Sequence, residues 1–166
     1  MNLQFREGNR NDLKQLKELA ILSYSQFEKA LTQENWNILS EKLESDSSYT
    51  DILKTAKCFI CEIENEIIGV AYIVPSGNPT DIFEANWSYI RMVGVNPKYR
   101  GAGISKKLTQ HCIKFATQNG EEVIALHTSE FMDAARHIYE NLGFKKVKEL
   151  DPIFGKRYWL YKLKLD

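Results

Sequence analysis

The sequence is poor in the residues that build special-purpose scaffolds. Three cysteines in 166 residues are too few for a disulfide framework, and only Cys58 and Cys61 are close enough to check as a redox or zinc pair. Phe59, Ile60 and Ile63 around them read as a strand, in which an offset of three sends the two thiols to opposite faces. The three histidines, His111, His127 and His137, are scattered and offer no second ligand pair, so the cysteines read as core residues and no metal is expected. No apolar run approaches the roughly 20 residues that span a bilayer. Residues Met1 to Gly8 hold no apolar signal core, which gives the expectation of a cytoplasmic protein that does not contact membranes. No concentrated basic stripe accompanies a reading motif, so nucleic acid is not an expected partner.

What is present is ordinary in amount and uneven in placement. With 43% apolar and 27% charged residues, the chain has the composition of a soluble globular protein. Its length, without repeats or a linker, suits one domain over 1–166. The formal net charge is zero, yet residues 1–90 carry 8 Lys/Arg against 14 Asp/Glu while residues 91–166 carry 14 against 8. Opposite halves can reflect opposite partners or merely solvated faces.

Periodicity gives the element order. Leu13, Leu16, Leu19, Ala20 and Phe27 follow Asn11 and Asp12 at helical spacing and predict a helix over about 12–30; Trp36, Leu39 and Leu43 predict another over 33–45. Ser45 to Ser48 read as a loop. Residues 57–64 and 67–74 read as a hairpin joined by Glu64 to Glu66, and Pro75 to Pro79 open a loop that runs toward Asn86. A strand over 87–95 is stopped by Asn96 and Pro97. A helix carries Ile104, Leu108, Cys112, Phe115 and Ala116 on one face, a strand covers 122–128, and a helix bearing Ala134, Ala135, Ile138 and Leu142 closes at Gly143. Strands over 144–149 and 157–165 finish the chain, and a weaker one covers 3–6. Hairpins favour antiparallel neighbours and strand–helix–strand units parallel ones. The expected fold is therefore α/β, a mixed sheet of about six to seven strands flanked by about four helices.

The stretch from Val93 to Lys106 carries the most chemical information. A strand breaks at a turn containing Gly101 and Gly103 and leads directly into a helix. Glycines let backbone N–H groups approach an anion, and the helix adds its first-turn donors and positive dipole end at the same point. Arg100, Lys106 and Lys107 add full charge. The spacing matches neither the dinucleotide fingerprint nor the Walker loop, and the same turn also serves as a plain strand–helix corner.

Lys98-Tyr99-Arg100-Gly101-Ala102-Gly103, followed some 30 residues later by the helix from Ala135 through Tyr139 to Gly143 and Phe144, resembles the GNAT superfamily of acetyl-CoA-dependent N-acetyltransferases. The resemblance covers roughly 55–150. It implies a splayed pair of strands that admits coenzyme A, with pyrophosphate on the amides of Gly101, Ala102, Gly103, Ile104, Ser105 and Lys106 and with Arg100 beside them. Val93, Gly94 and Val95 would pair with the pantetheine arm, Gly94 allowing a bulge or close approach, and the Val93 N–H would stabilise the oxyanion. Tyr139 matches the tyrosine that protonates the departing thiolate in many members. The chain departs from the family pattern at Lys98 (Gln or Arg in the motif), at Met132 (often Asn) and at Tyr89, which stands where many relatives have a Glu base. Glu84 or His127, acting through water, are the remaining candidates to take the proton.

The implied reaction is direct attack of a neutral primary amine on the thioester of acetyl-CoA, the cosubstrate, through a tetrahedral intermediate. The acceptor is a small molecule or a peptide. An acidic first half, with Tyr24, Phe27, Trp36, Asp81 and Glu84 near the acceptor segments, favours a cationic one. A non-catalytic acyl-CoA-binding or sensing module is the alternative, and the oligomeric state, monomer or homodimer, is open.

Overall fold

The computed structural model describes residues 2–166. The chain runs β1 (Gln4–Glu7), α1 (Leu13–Tyr24), α2 (Gln33–Glu44), α3 (Asp46–Ile52), β2 (Lys57–Ile63), β3 (Glu66–Val74), β4 (Ser88–Val95), α4 (Ile104–Gln118), β5 (Val123–Ser129), α5 (Asp133–Asn141), β6 (Lys145–Ile153) and β7 (Lys156–Lys164). Seven strands form one sheet in the order β1-β2-β3-β4-β5-β7-β6. Among the described residues, only β4 and β5 are parallel neighbours. They are also the strands joined through α4, the connection that a parallel pair requires.

Helices cover both faces. On one, Ile104, Leu108, Cys112 and Ala116 of α4 pack with Tyr139 and Phe144 against Ile68, Ile73, Ile90, Ile124 and Trp159. On the other, Leu16 and Leu19 of α1 and Ile52 of α3 pack against Ile60, Val70, Tyr72, Tyr89, Ala125 and Leu160. β3 is buried along nearly its whole length, as suits a strand covered by helices on both faces. Cys58 falls in the α1-side core and Cys61 in the α4-side core, as the offset of three requires. Burial pushes the Cys58 thiol up to about 12, so it is an inert core group.

Two expectations about the first 50 residues need correction. The α-helical part of the first helix ends at Tyr24, and Ser25–Ala30 tighten into a 3-10 helix. There Ser25 Oγ donates to the Leu22 carbonyl at 2.7 Å and Gln26 Nε2 to the Ser23 carbonyl at 3.1 Å. These side chains compete for carbonyls that an α-helix would use. The segment read as a loop from Ser45 is instead the start of α3, with Ser45 before it and Asp46 in its first turn. Ser and Asp are residues that open helices as readily as they end them. Five α-helices result, one more than expected.

Arg6 ties the first strand to the first helix. Its guanidinium donates to both carboxylate oxygens of Asp12 at 2.8 and 2.9 Å, and Asp12 in turn accepts from the Asn9 backbone N–H. Among the described residues, no helix is long and apolar enough to cross a membrane, and no group of three or more His, Cys, Asp or Glu could hold a metal.

Candidate active site

β4 and β5 pair only at Ser88 with Ile124 and Tyr89 with Ala125. Beyond that point they diverge: β5 continues to pair with β7 through Ser129, while β4 continues with β3. The gap is the mouth of a cleft of about 990 Å³. Its walls come from both strands, the start of α4, α5, and the α1–α3 region, which bridges over it.

Within β4 the ladder slips. Val70 pairs with Gly94 but Tyr72 pairs with Arg91, so Met92 and Val93 together oppose Ala71. Met92 adopts φ 52, a left-handed conformation uncommon outside glycine. A bulge of this kind leaves one residue out of the ladder and bends the strand, and both Met92 and Val93 line the cleft. Val93 and Val95 contribute to the α4-side core.

Gly94 has a close neighbour within the chain itself. A Cβ there would lie 3.1 Å from Ser23 Oγ and 3.3 Å from Ser23 Cβ, and the Val95 N–H donates to Ser23 Oγ at 3.3 Å. The close approach is thus by α1, packed directly on the strand. The bulge itself is built from Met92 and Val93.

The turn ahead of α4 has the form the glycines implied. Gly101 and Gly103 have φ +84 and +77, and nothing lies within 4 Å of where their side chains would be. Gly103 occupies the N-cap of a 15-residue helix, and no side chain caps it. First-turn amides are therefore free to meet an anion along the helix dipole. Lys106 lines the cleft. Lys107 points elsewhere, its ammonium 5.6 Å from the Phe5 ring. Arg100 also differs from expectation: its guanidinium donates to Gln26 Oε1 at 2.6 Å and to the Ser23 carbonyl at 3.4 Å. Its fork is engaged in holding the 25–30 segment against the turn.

Tyr139 reaches the same cleft from α5, although only 7% of it is exposed. Burial raises its phenol above the ordinary value, so it is protonated at neutral pH. Phe144 meets its ring edge-on at 5.9 Å. Met132, in the family's Asn position, precedes α5 without capping it, and its sulfur accepts from the Thr128 hydroxyl at 3.7 Å.

The candidate bases fare differently. Thr80 Oγ1 accepts from the Ile82 and Phe83 amides in a turn that buries Phe83 against Tyr89, ring centroids 4.2 Å apart. Glu84, next in the chain, is left exposed and does not line the cleft. His127 does line the cleft, stacked on Phe83 and edge-on to Tyr158. Burial first and the charge of Arg91 second hold it down to about 4, which keeps the ring neutral but makes it a weak base. The Tyr89 hydroxyl donates to the Asn78 carbonyl at 3.0 Å.

The cleft is not acidic. Its charged lining residues are Lys42, Arg91, Arg100 and Lys106 against Asp51 and Asp133, and both carboxylates are already paired, with Lys54 and Arg136. Trp36, Asp81 and Glu84 do not line it. The α1-side wall is aromatic: Tyr24 meets Phe27 at 5.8 Å, Phe27 meets Phe131 at 4.9 Å, and Phe131 meets Tyr158 at 6.2 Å. Sequence reasoning found Tyr24 and Phe27 and missed Phe131, Tyr158 and Arg91. Tyr158 was legible as the opposite phase of the alternation Trp159, Tyr161, Leu163 in β7. Phe131 sits in a turn that carries no such signal.

The model of the acetyltransferase (GNAT) family matches residues 14–144. The chain belongs to the GNAT family. Among its relatives is the N-acetyltransferase 8B of Homo sapiens, 30% identical over 103 residues that make up 61% of this chain and 44% of that protein. Another is the N-acetylaspartate synthetase of Xenopus tropicalis, 33% identical over 104 residues, 62% of this chain and 36% of that protein. The GNAT chain described here thus spans less than half the length of either. In fold it is similar to the PaiA N-acetyltransferase of Thermoplasma acidophilum, solved in complex with coenzyme A, with TM-score 0.80, 18% identity and 99% of both chains covered.

Proposed function

We propose that the chain acts as one GNAT domain that transfers an acetyl group from acetyl-CoA to a primary amine. The observation that carries this reading is the convergence, in one cleft, of the splayed β4–β5 pair, the uncapped Gly101–Gly103 turn and the buried phenol of Tyr139. The empty space at the two glycines and the free first turn of α4 suit a pyrophosphate, with the amides of Gly101 through Lys106 and the Lys106 ammonium as donors. Backbone of Val93 to Val95, at and after the bulge, offers an edge to the pantetheine arm, the Val95 N–H exchanging its contact with Ser23 Oγ for the ligand.

In this reading the amine attacks the thioester carbonyl, its lone pair forming the new C–N bond. The Val93 N–H stabilises charge on the carbonyl oxygen. As the C–S bond breaks, Tyr139 gives its proton to the thiolate and recovers one from solvent. The proton on the attacking nitrogen leaves to water. His127, near 4, lies several units below an alkylammonium and is assigned no proton to carry; its neutral ring forms part of the wall.

The acceptor is an amine on a small molecule or a peptide. Support exists for each: the relative named above is an N-acetylaspartate synthetase, whereas a NatC complex bound to Gag peptide and CoA shares the fold with TM-score 0.73 at 21% identity. The direct test is a panel of primary amines with acetyl-CoA, read as coenzyme A release. Thiol release that depends on the amine is expected. Tight acetyl-CoA binding with no release for any amine would make the chain a binding module instead.

A further inference from the structure

On the α1 side of the cleft, beside the aromatic wall, Arg91 makes no ion pair among the described residues. Arg91 lies two residues before Val93 on the bulged strand and pairs across the ladder with Tyr72, whose side chain is in the α1-side core. The Arg91 side chain therefore rises on the α1 face, away from the α4 turn that offers amides to an anion. It is exposed within the cleft lining, and among the described residues it makes no ion pair or side-chain hydrogen bond. Its charge bears on Tyr24, Tyr89 and His127, none of which can neutralise it as a carboxylate would. The two carboxylates lining the cleft are held by other cations.

We infer that Arg91 selects acceptor amines that carry a carboxylate, with an apolar or aromatic side chain lying along the Tyr24–Phe27–Phe131–Tyr158 wall. This rests on the acetyltransferase reading and names the substrate class of the same site. A free guanidinium presents a planar fork of donors that matches a carboxylate bidentately. Being two residues from Val93 puts the fork close to the point of attack. The acid group it receives is thus one near the amine, as in an α-amino acid. A peptide N-terminus presents an amide carbonyl at that position and does not satisfy the charge.

The test compares L-phenylalanine with L-phenylalaninamide as acceptors for the wild-type chain and for Arg91→Gln, at saturating acetyl-CoA. The amide has the less basic amine, so amine deprotonation alone favours the amide. Arg91 should reverse that order, giving the acid an advantage in kcat/KM of about tenfold or more, and Arg91→Gln should remove the advantage while Arg91→Lys restores part of it. A second measurement needs no turnover: binding of N-acetyl-L-phenylalanine and N-acetyl-L-phenylalaninamide to the CoA-loaded protein by calorimetry, where the acid should again bind more tightly and lose that preference in Arg91→Gln. Equal rates for the two acceptors, equal or absent binding of the two products, or a preference unchanged in Arg91→Gln would overturn the inference. Selective binding of the acid without turnover of any amine would overturn the acetyltransferase reading and leave the Arg91 assignment standing.

Discussion

On the α4 side of the cleft nearly every group that faces a ligand is backbone: the bulged edge of β4, the turn at Gly101 and Gly103, and the uncapped first turn of the helix. On the α1 side nearly every group is a side chain, and those side chains come from positions as far apart as Tyr24, Arg91, Phe131 and Tyr158. The first arrangement depends on local chain geometry and tolerates many sequences. The second depends on which residues meet after folding, so it can change its partner without disturbing the fold. A site divided in this way keeps one ligand constant and leaves the other free to vary.

The sharpest way to break the backbone side is Gly103→Asp. The left-handed φ of +77 strains any side chain there by about 1–2 kcal/mol, and the carboxylate would occupy the anion's place. Coenzyme A affinity should fall by about 100-fold or more, measured by calorimetry; affinity within error of wild type would remove the turn as the pyrophosphate site. Tyr139→Phe is next in size. It removes a proton donor and little volume, so kcat should drop by about 10- to 100-fold with acetyl-CoA Kd nearly unchanged, and equal rates would dismiss the phenol as the acid.

Gly94→Ala tests the seam between the two sides. The new methyl meets Ser23 at 3.1 Å, and overpacking of this sort costs about 1–3 kcal/mol. Chemical denaturation should show that loss, and it should shrink when Ser23→Ala is added, because the nearest contacting atom is then gone. A loss of the same size in both backgrounds would mean that α1 is not what Gly94 accommodates.

A last test separates the sides by pH. His127 is held to about 4 in the folded chain against an ordinary value near 6.5, so between these values the unfolded chain binds more protons. The stability contributed by the neutral buried ring is complete above about 6.5 and is lost as pH falls through about 4. Thermal midpoints between pH 7.5 and 4.5 should therefore decline less steeply in His127→Gln than in wild type. Parallel slopes would show that the ring is not buried as described.

The same division explains what could be read from the sequence. The strand, glycine turn and helix from Val93 onward were legible because turn chemistry is local. So were the hairpin of 57–64 with 67–74 and the opposite facing of Cys58 and Cys61. The splay was implied by the family resemblance rather than by any residue pattern, since it is a failure of Ile90 and Leu126 to pair across more than 30 intervening residues. Arg91 was invisible for a related reason: within Ser88–Val95 it is one polar residue in an apolar strand, and only the register with Tyr72 shows which face it takes. The α3 helix was missed because its Ser-rich opening fits a loop and a helix start equally well. Glu84 was attractive in sequence for its charge and position. The turn that buries Phe83 leaves it in solvent.

The engagement of Arg100 with Gln26 and Ser23 has a consequence for ionic strength. With that guanidinium committed, and Lys107 turned toward Phe5, the donors left for two phosphates are mainly amide dipoles plus the ammonium of Lys106. Oriented dipoles at close range are screened far less by mobile ions than separated full charges are. Donor affinity should accordingly change little between dilute buffer and concentrated salt, whereas an acceptor drawn by the full charge of Arg91 should bind less tightly as salt is added.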